Sequence, residues 1–223
     1  KQDFLLIEKN DWTKKPENES PVLNFYPEGG MLVSSINNRM VVRSNKFLST
    51  TRIVNENGDE LSRLDFDQHG LALMNITPQP EMNHYAEVEH QGSIKRFPLP
   101  TPSRDGLAMQ LSLEQSDVKV KLSVPIDSKL RSENLWIAIS AHTEVYFTAP
   151  LNFKNIESLA MGFPLKDLPA GICYATVLNE RGDVVAERLF EGNAVPEVNT
   201  EIVRAANRFT TRTPIQLQVS LRD

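Results

Sequence analysis

Apolar residues at every second position are the feature that most constrains what this chain can fold into. Leu107, Met109, Leu111 and Leu113 alternate with Ala108, Gln110 and Ser112. Val118, Val120, Leu122 and Val124 alternate with Lys119, Lys121 and Ser123, and Ile215, Leu217, Val219 and Leu221 alternate with Gln216, Gln218 and Ser220. Successive side chains of a strand point to opposite faces, so a period of two marks a strand with one dry face. Further strands are predicted at 38–44, 51–56, 60–66, 71–76, 84–90, 93–97, 135–141, 144–148, 172–178 and 184–190. Turn pairs such as Asn57-Gly58, Gln91-Gly92 and Arg181-Gly182 divide them, glycine accepting the positive φ that tight hairpins need. The stretch 155–165 is read as holding one helical turn, and no longer window carries a helical stripe. Many short strands at turn-punctuated intervals give an all-β fold of tandem antiparallel sandwiches.

Prolines then divide the chain. Pro98, Pro100 and Pro102 stand at alternate positions, and a run lacking those backbone donors is unsuited to a central strand. Residues 101–106 are read as a linker between a first sandwich at 21–100 and a second at 107–193, with 1–20 as an N-terminal linker. Residues 194–223 offer two strand patterns, too few to bury a core; they are the first strands of a third β domain or an extra pair packed on their neighbour. A short echo, Val54-Asn55-Glu56-Asn57-Gly58-Asp59 and Leu178-Asn179-Glu180-Arg181-Gly182-Asp183, supports repeated architecture.

Charge and cysteine content exclude several functions. The net charge of −5 comes from 24 basic and 29 acidic residues scattered along 223 positions, so no basic stripe is available to neutralise phosphates and nucleic acid is not an expected partner. No apolar run approaches the roughly 18 residues of a membrane-spanning helix. The chain starts at Lys1 without a signal pattern or initiator Met, which reads as a segment of a longer precursor. Its single cysteine, Cys173, excludes an internal disulfide or a cysteine-based zinc cluster.

Few side chains stand in a pattern suited to chemistry. His84 and His90 share one strand face but stand about 20 Å apart by the strand rise, too far to share a metal; with His69 and His142 they read as surface or satisfied sandwich histidines. Cys173 alternates with Ala175 and Val177 and reads as a core residue rather than a nucleophile. Glu87 and Glu89 flank one another on a strand face with Tyr85, about 7 Å apart, and read as a solvated stripe rather than a glycosidase pair. Trp136 is out of phase with Leu135, Ile137 and Ile139, so it projects from an outer face. With Tyr146 on the adjacent strand it is a candidate surface for protein contact or sugar stacking. In Pro27-Glu28-Gly29-Gly30, Pro27 lacks a ladder donor while Gly29 and Gly30 permit tight geometry. Without a following Lys-Ser or Lys-Thr and helix, the stretch reads as a structural turn like those at Gly58 and Gly182.

A family resemblance rests on turns and strands. Phe25-Tyr26-Pro27-Glu28-Gly29-Gly30-Met31-Leu32-Val33, then Asn38-Arg39-Met40-Val41-Val42, Gly70, Tyr85-Ala86 and Lys95-Arg96-Phe97-Pro98-Leu99-Pro100, resemble macroglobulin-type (MG) β-sandwich domains of large exported proteins of the Bacteroidetes type. Pro169-Ala170-Gly171-Ile172, Asn179 to Asp183 and Ala186-Glu187-Arg188 resemble the closing strands of a second such domain. Ala206-Asn207-Arg208-Phe209 onward is similar to the start of a third. The resemblance implies immunoglobulin/fibronectin-III-like sandwiches serving as a non-catalytic structural or protein-interaction module. Its setting would be exported, periplasmic or outer-membrane associated in a Gram-negative bacterium. It implies no cofactor and no metal. Protein partners or neighbouring domains are expected, a glycan is the alternative, and membrane contact comes only through the parent protein. The thioester Cys-Gly-Glu-Gln of the wider family is missing, Cys173 lying in Gly171-Ile172-Cys173-Tyr174.

Overall fold

In the computed structural model the described residues are 20–46, 48, 51–114, 116–193, 199–204 and 217–222. The expected N-terminal linker at 1–20, apart from Ser20, lies outside them. The strands in chain order are β1 (Leu23–Pro27), β2 (Asn38–Ser44), β3 (Thr51–Asn55), β4 (Glu60–Leu64), β5 (Leu71–Ile76), β6 (His84–His90), β7 (Ser93–Pro98) and β8 (Ala108–Glu114). They continue with β9 (Asp117–Ser123), β10 (Leu135–Ala141), β11 (Glu144–Leu151), β12 (Ser158–Pro164), β13 (Ile172–Asn179), β14 (Val184–Glu191), β15 (Asn199–Arg204) and β16 (Leu217–Arg222). Two 3₁₀ turns, Lys129–Ser132 and Leu165–Asp167, are the described helical elements, and among the described residues no helix is long and apolar enough to cross a membrane.

These strands build two antiparallel β-sandwiches. The first pairs a sheet ordered β1-β2-β5 with one ordered β4-β3-β6-β7, and the second pairs β12-β9-β8 with β11-β10-β13-β14. Alternation decides which residues fill each gap. Met40, Val42, Met74 and Ile76 from one sheet meet Ile53, Leu64, Ala86 and Val88 from the other. In the second sandwich Met109, Val118, Val120 and Leu122 face Ile137, Ile139, Ala175 and Val177. Cys173 is fully buried in that layer, and burial pushes its thiol pKa up. Each fully buried Val, Leu or Ile contributes about 1.5–3 kcal/mol of transfer free energy.

Three departures from the sequence reading have local causes. Residues 158–164 form an extended strand, not part of a helical turn: Leu159 and Met161 pack against the core, Phe163 is buried in it, and Ala160 and Gly162 point outward. Small outward residues and a terminal proline hid this alternation, and both are tolerated because β12 is a sheet edge. Strand β11 runs on to Leu151, past the expected end, because Pro150 sits on another edge strand opposite Trp136. Leu113 continues the apolar period of β8 beyond the core and is half exposed.

The internal echo is one turn built twice. In each copy the asparagine amide accepts from the aspartate N–H four residues on, Asn55 from Asp59 and Asn179 from Asp183, at 2.9 Å in both cases. Each asparagine Nδ2 donates back to the aspartate carboxylate, and Gly58 and Gly182 take φ of 88° and 81°. Both hairpins also carry a bulge beside the asparagine. Beyond residue 193, β15 and β16 pair with each other as a two-stranded sheet, and Val219 on β16 is exposed. Ile215 lies outside the described residues.

Candidate functional site

The most highly organised polar constellation lies where the two sandwiches meet, and it grows from Pro27-Glu28-Gly29-Gly30. Pro27 ends β1, and the Gly30 N–H donates to the Pro27 carbonyl at 3.0 Å, closing a four-residue turn. Gly29 occupies the third position with φ 86°, the positive value that type II turns place there. A Cβ on Gly29 would lie 2.9 Å from the Cβ of Met109, so glycine is also what lets the turn touch β8 of the second sandwich. Its carbonyl accepts from the Glu187 N–H on β14. Gly30 needs glycine for its φ of 93° alone, since nothing would meet a Cβ there.

The turn aims Glu28 into the seam, where it is 8% exposed. Arg39, projecting from β2, forks onto it: Nε donates to Oε2 at 2.5 Å and Nη2 to Oε1 at 2.8 Å. Oε1 also accepts the Leu111 backbone N–H of β8 at 2.8 Å, and the same Arg39 Nη2 donates to the Leu111 carbonyl. Arg188 of β14 adds an ion pair at 3.6 Å. One carboxylate therefore joins the first sandwich to two strands of the second. The Glu28 hydrogen bond raises the Arg39 pKa further, against burial, so the guanidinium stays a cation throughout the range of a folded protein.

Neighbouring contacts complete the junction. Residues 101–106, expected as the linker, are pinned rather than free: Ser103 donates to the Leu32 carbonyl, accepts from the Ser34 N–H, and bridges to Val33. Buried Asn38 shapes the facing loop, accepting from the Val33 N–H and donating to the carbonyls of Val33 and Ile36. Val33, Ile36 and Ala108 form a small apolar cluster joining the halves. Gln110 donates across to Asn37. An open depression of about 540 Å³ borders the seam. Of its cations, Arg39 is bound to Glu28 and Lys119 to Glu114, which leaves Lys121 as a lone surface lysine.

The sequence-nominated residues are dispersed. Trp136 is 40% exposed on the outer face of the β11-β10-β13-β14 sheet. Tyr146 falls at the bulge opposite Ile139 and Ser140 and packs against the interior cluster, so it does not share a platform with Trp136. Its hydroxyl donates to Glu144, and burial is the main cause of its raised pKa. Glu87 is no part of a solvated stripe: it is 7% exposed between Arg52 at 2.6 Å and Arg96 at 2.9 Å, while Glu89 is exposed. His84 is not a satisfied histidine, being 3% exposed with neither ring nitrogen reaching a hydrogen-bond partner. Burial lowers its pKa; the Met82 backbone and the Glu56 charge oppose the shift without supplying a bond of good geometry. Among the described residues no three His, Cys, Asp or Glu side chains are grouped to hold a metal.

From sequence alone the Glu28 stretch reads as a structural turn, and the Glu28–Arg39–Leu111 joint is not visible. A signal was present, a carboxylate held between proline and two glycines in an apolar stretch, but its partner Leu111 lies 83 positions away.

No protein-family model matches the chain, and no curated protein does. Among solved structures it is similar to the BSP domain of a biofilm-associated protein, with TM-score 0.37 and 9% identity, covering 78% of this chain and 30% of that one. It is similar to Salmonella α2-macroglobulin reacted with methylamine, with TM-score 0.33 and 11% identity, covering 90% of this chain and 18% of that one. A third is the Escherichia coli native α2-macroglobulin fragment spanning domains MG0-NIE-MG1, with TM-score 0.30 and 10% identity, covering 92% of this chain and 79% of that one. This chain thus spans under a third of the first two.

Proposed function

We propose that this chain is a non-catalytic structural and protein-interaction module of a larger exported or cell-envelope bacterial protein, two sandwich domains held at one mutual setting by the Glu28 joint. The observation that carries this reading is how the most buried carboxylates are used. Glu28 and Glu87 have their acceptor oxygens taken up by arginines, and Glu28 by a backbone N–H as well. A catalytic acid or base must offer a free oxygen to the space a substrate occupies; Glu28 faces neighbouring strands, and Glu87, on an outer sheet face beside a shallow depression, has both oxygens held by Arg52 and Arg96. The exported bacterial setting is supported by the resemblance of the Phe25–Val33 and Asn179–Asp183 stretches to MG domains.

The glycan-binding reading has Trp136 in its favour. Around that ring, however, the transverse row is Pro150, Leu178 and Val184. The next row adds Thr148 and Glu187, so the face joins an apolar platform to acidic neighbours, a combination that a polypeptide with apolar and basic side chains matches in both contact and charge.

Small-angle X-ray scattering of the full chain tests the proposal. A profile fitted over residues 21–193 by one fixed arrangement of the two sandwiches is expected. A profile that requires an ensemble of arrangements would remove the spacer reading. Turnover on a broad substrate panel, abolished by one acid-to-amide change, would remove the non-catalytic one.

A further inference from the structure

The outer face of the β11-β10-β13-β14 sheet carries an ordered pattern that neither core nor seam explains. Antiparallel register places Trp136, Leu178 and Val184 in one transverse row and Ser140, Tyr174 and Leu189 in another. Trp136 is 40%, Val184 59% and Leu189 48% exposed. The row between them ends in Glu187 and the row beyond in Glu191. Down β14 the outward residues therefore read apolar, acidic, apolar, acidic. The four strands contribute no lysine or arginine to this face; Arg188 points the other way, to Glu28, and Arg181 in the adjoining hairpin is paired with Asp183.

We propose that this face docks an extended segment of a partner protein carrying apolar and basic side chains in turn along one side, two residues apart. The inference rests on the interaction-module reading and adds the surface and the chemistry of the partner. Two dimensions support it. Rows along the sheet are about 6.6 Å apart by the strand rise, which is also the spacing of same-side residues in an extended segment. Apolar side chains would sit over the Trp136 and Leu189 rows and cations over Glu187 and Glu191. The footprint, three rows across four strands and a fourth across β13 and β14, is roughly 450 Å², short of the ~800 Å² per partner of a stable protein pair. Self-pairing through this face would also oppose two acidic surfaces. A single segment running along β13 and β14 needs only part of this area and matches its charge.

The test uses two fluorescein-labelled peptides and the full chain, read by fluorescence anisotropy. One peptide repeats Leu-Ser-Arg-Ser and the other replaces each Arg by Glu. The Arg peptide is expected to bind in the micromolar range and the Glu peptide at least tenfold more weakly. Trp136→Ala and the double variant Glu187→Gln/Glu191→Gln are each expected to weaken the Arg peptide about tenfold, with Leu73→Ser on the other sandwich neutral. Equal binding of both peptides, indifference to the Trp136 and Glu187 variants, or no binding below about 1 mM would each overturn the proposal. Concentration-dependent dimerisation lost in Trp136→Ala would assign the face to a second copy and overturn it as well. Failure of peptide binding while scattering still reports one fixed arrangement would remove this surface and leave the module reading standing.

Discussion

Replacing Glu28 by alanine should loosen the two sandwiches without unfolding either. The substitution strips the acceptor from the Leu111 N–H, a buried donor whose loss costs about 1–3 kcal/mol. The arginines lose less. Their side chains are 29% exposed at Arg39 and 46% at Arg188, so water rehydrates them and each ion pair contributes at most about 1 kcal/mol. The Glu28–Arg39 pair lies within the first sandwich, so only the Leu111 and Arg188 contacts count across the seam, which weakens by about 1–4 kcal/mol, roughly a 5- to 900-fold change in any open-to-closed ratio. Neither apolar core includes Glu28, and the side chains of both stay packed. Double electron–electron resonance between nitroxides at Asp65→Cys and Lys154→Cys reads the effect, buried Cys173 remaining unlabelled. The wild type should give one narrow distance distribution and Glu28→Ala a broad one. Glu28→Gln keeps an acceptor for Leu111 and should fall between them. Identical narrow distributions in all three would refute the assignment of Glu28 as the joint.

Three further outcomes follow from local geometry. Gly29→Ala should destabilise more than Gly30→Ala: both force positive φ on a side chain, about 1–2 kcal/mol, but only Gly29 also meets Met109, and urea denaturation ranks them. Asn55→Ala and Asn179→Ala should each cost about 1–2 kcal/mol by the same method, because each removes the same pair of turn hydrogen bonds. His84 gives a pH signature. Its folded pKa lies below the unfolded value near 6.5, so the unfolded chain binds the extra proton, and stability present above that pH is lost as pH falls through the window beneath it. Melting curves between about pH 7.5 and 5 should show that decline, and His84→Leu should flatten it; an unchanged slope in the variant would assign the decline to other groups.

The fold was legible because sandwich strands write their burial into a period of two. Met109, Leu111, Val118, Val120 and Leu122 could be assigned to a core face from spacing alone, and they occupy it. The repeated Asn-Glu-x-Gly-Asp turn was legible for a related reason: its hydrogen bonds span four residues, so the determinants sit together in sequence. Strand β12 was lost where those signals fade, since alanine and glycine on an outward face blur the alternation and an edge position removes the pressure against proline.

The joint between the sandwiches obeys neither rule. Glu28 alone reads as a turn residue, and Arg39 alone as the polar phase of an alternating strand. What makes them a joint is that Leu111 presents its N–H and its carbonyl at the same spot, and backbone groups leave no mark on sequence. Tyr146 illustrates the converse. Its sequence neighbours suggested an exposed ring beside Trp136, but one extra residue at the bulge separates it from the Ile139–Phe147 and Ser140–Val145 pairs and leaves it against the core. Period-two reasoning carries a side chain to a face only while the register holds. Sites made by bulges, turns and backbone donors therefore become visible only when two segments distant in sequence are set side by side, and in this chain the Glu28 joint is such a site.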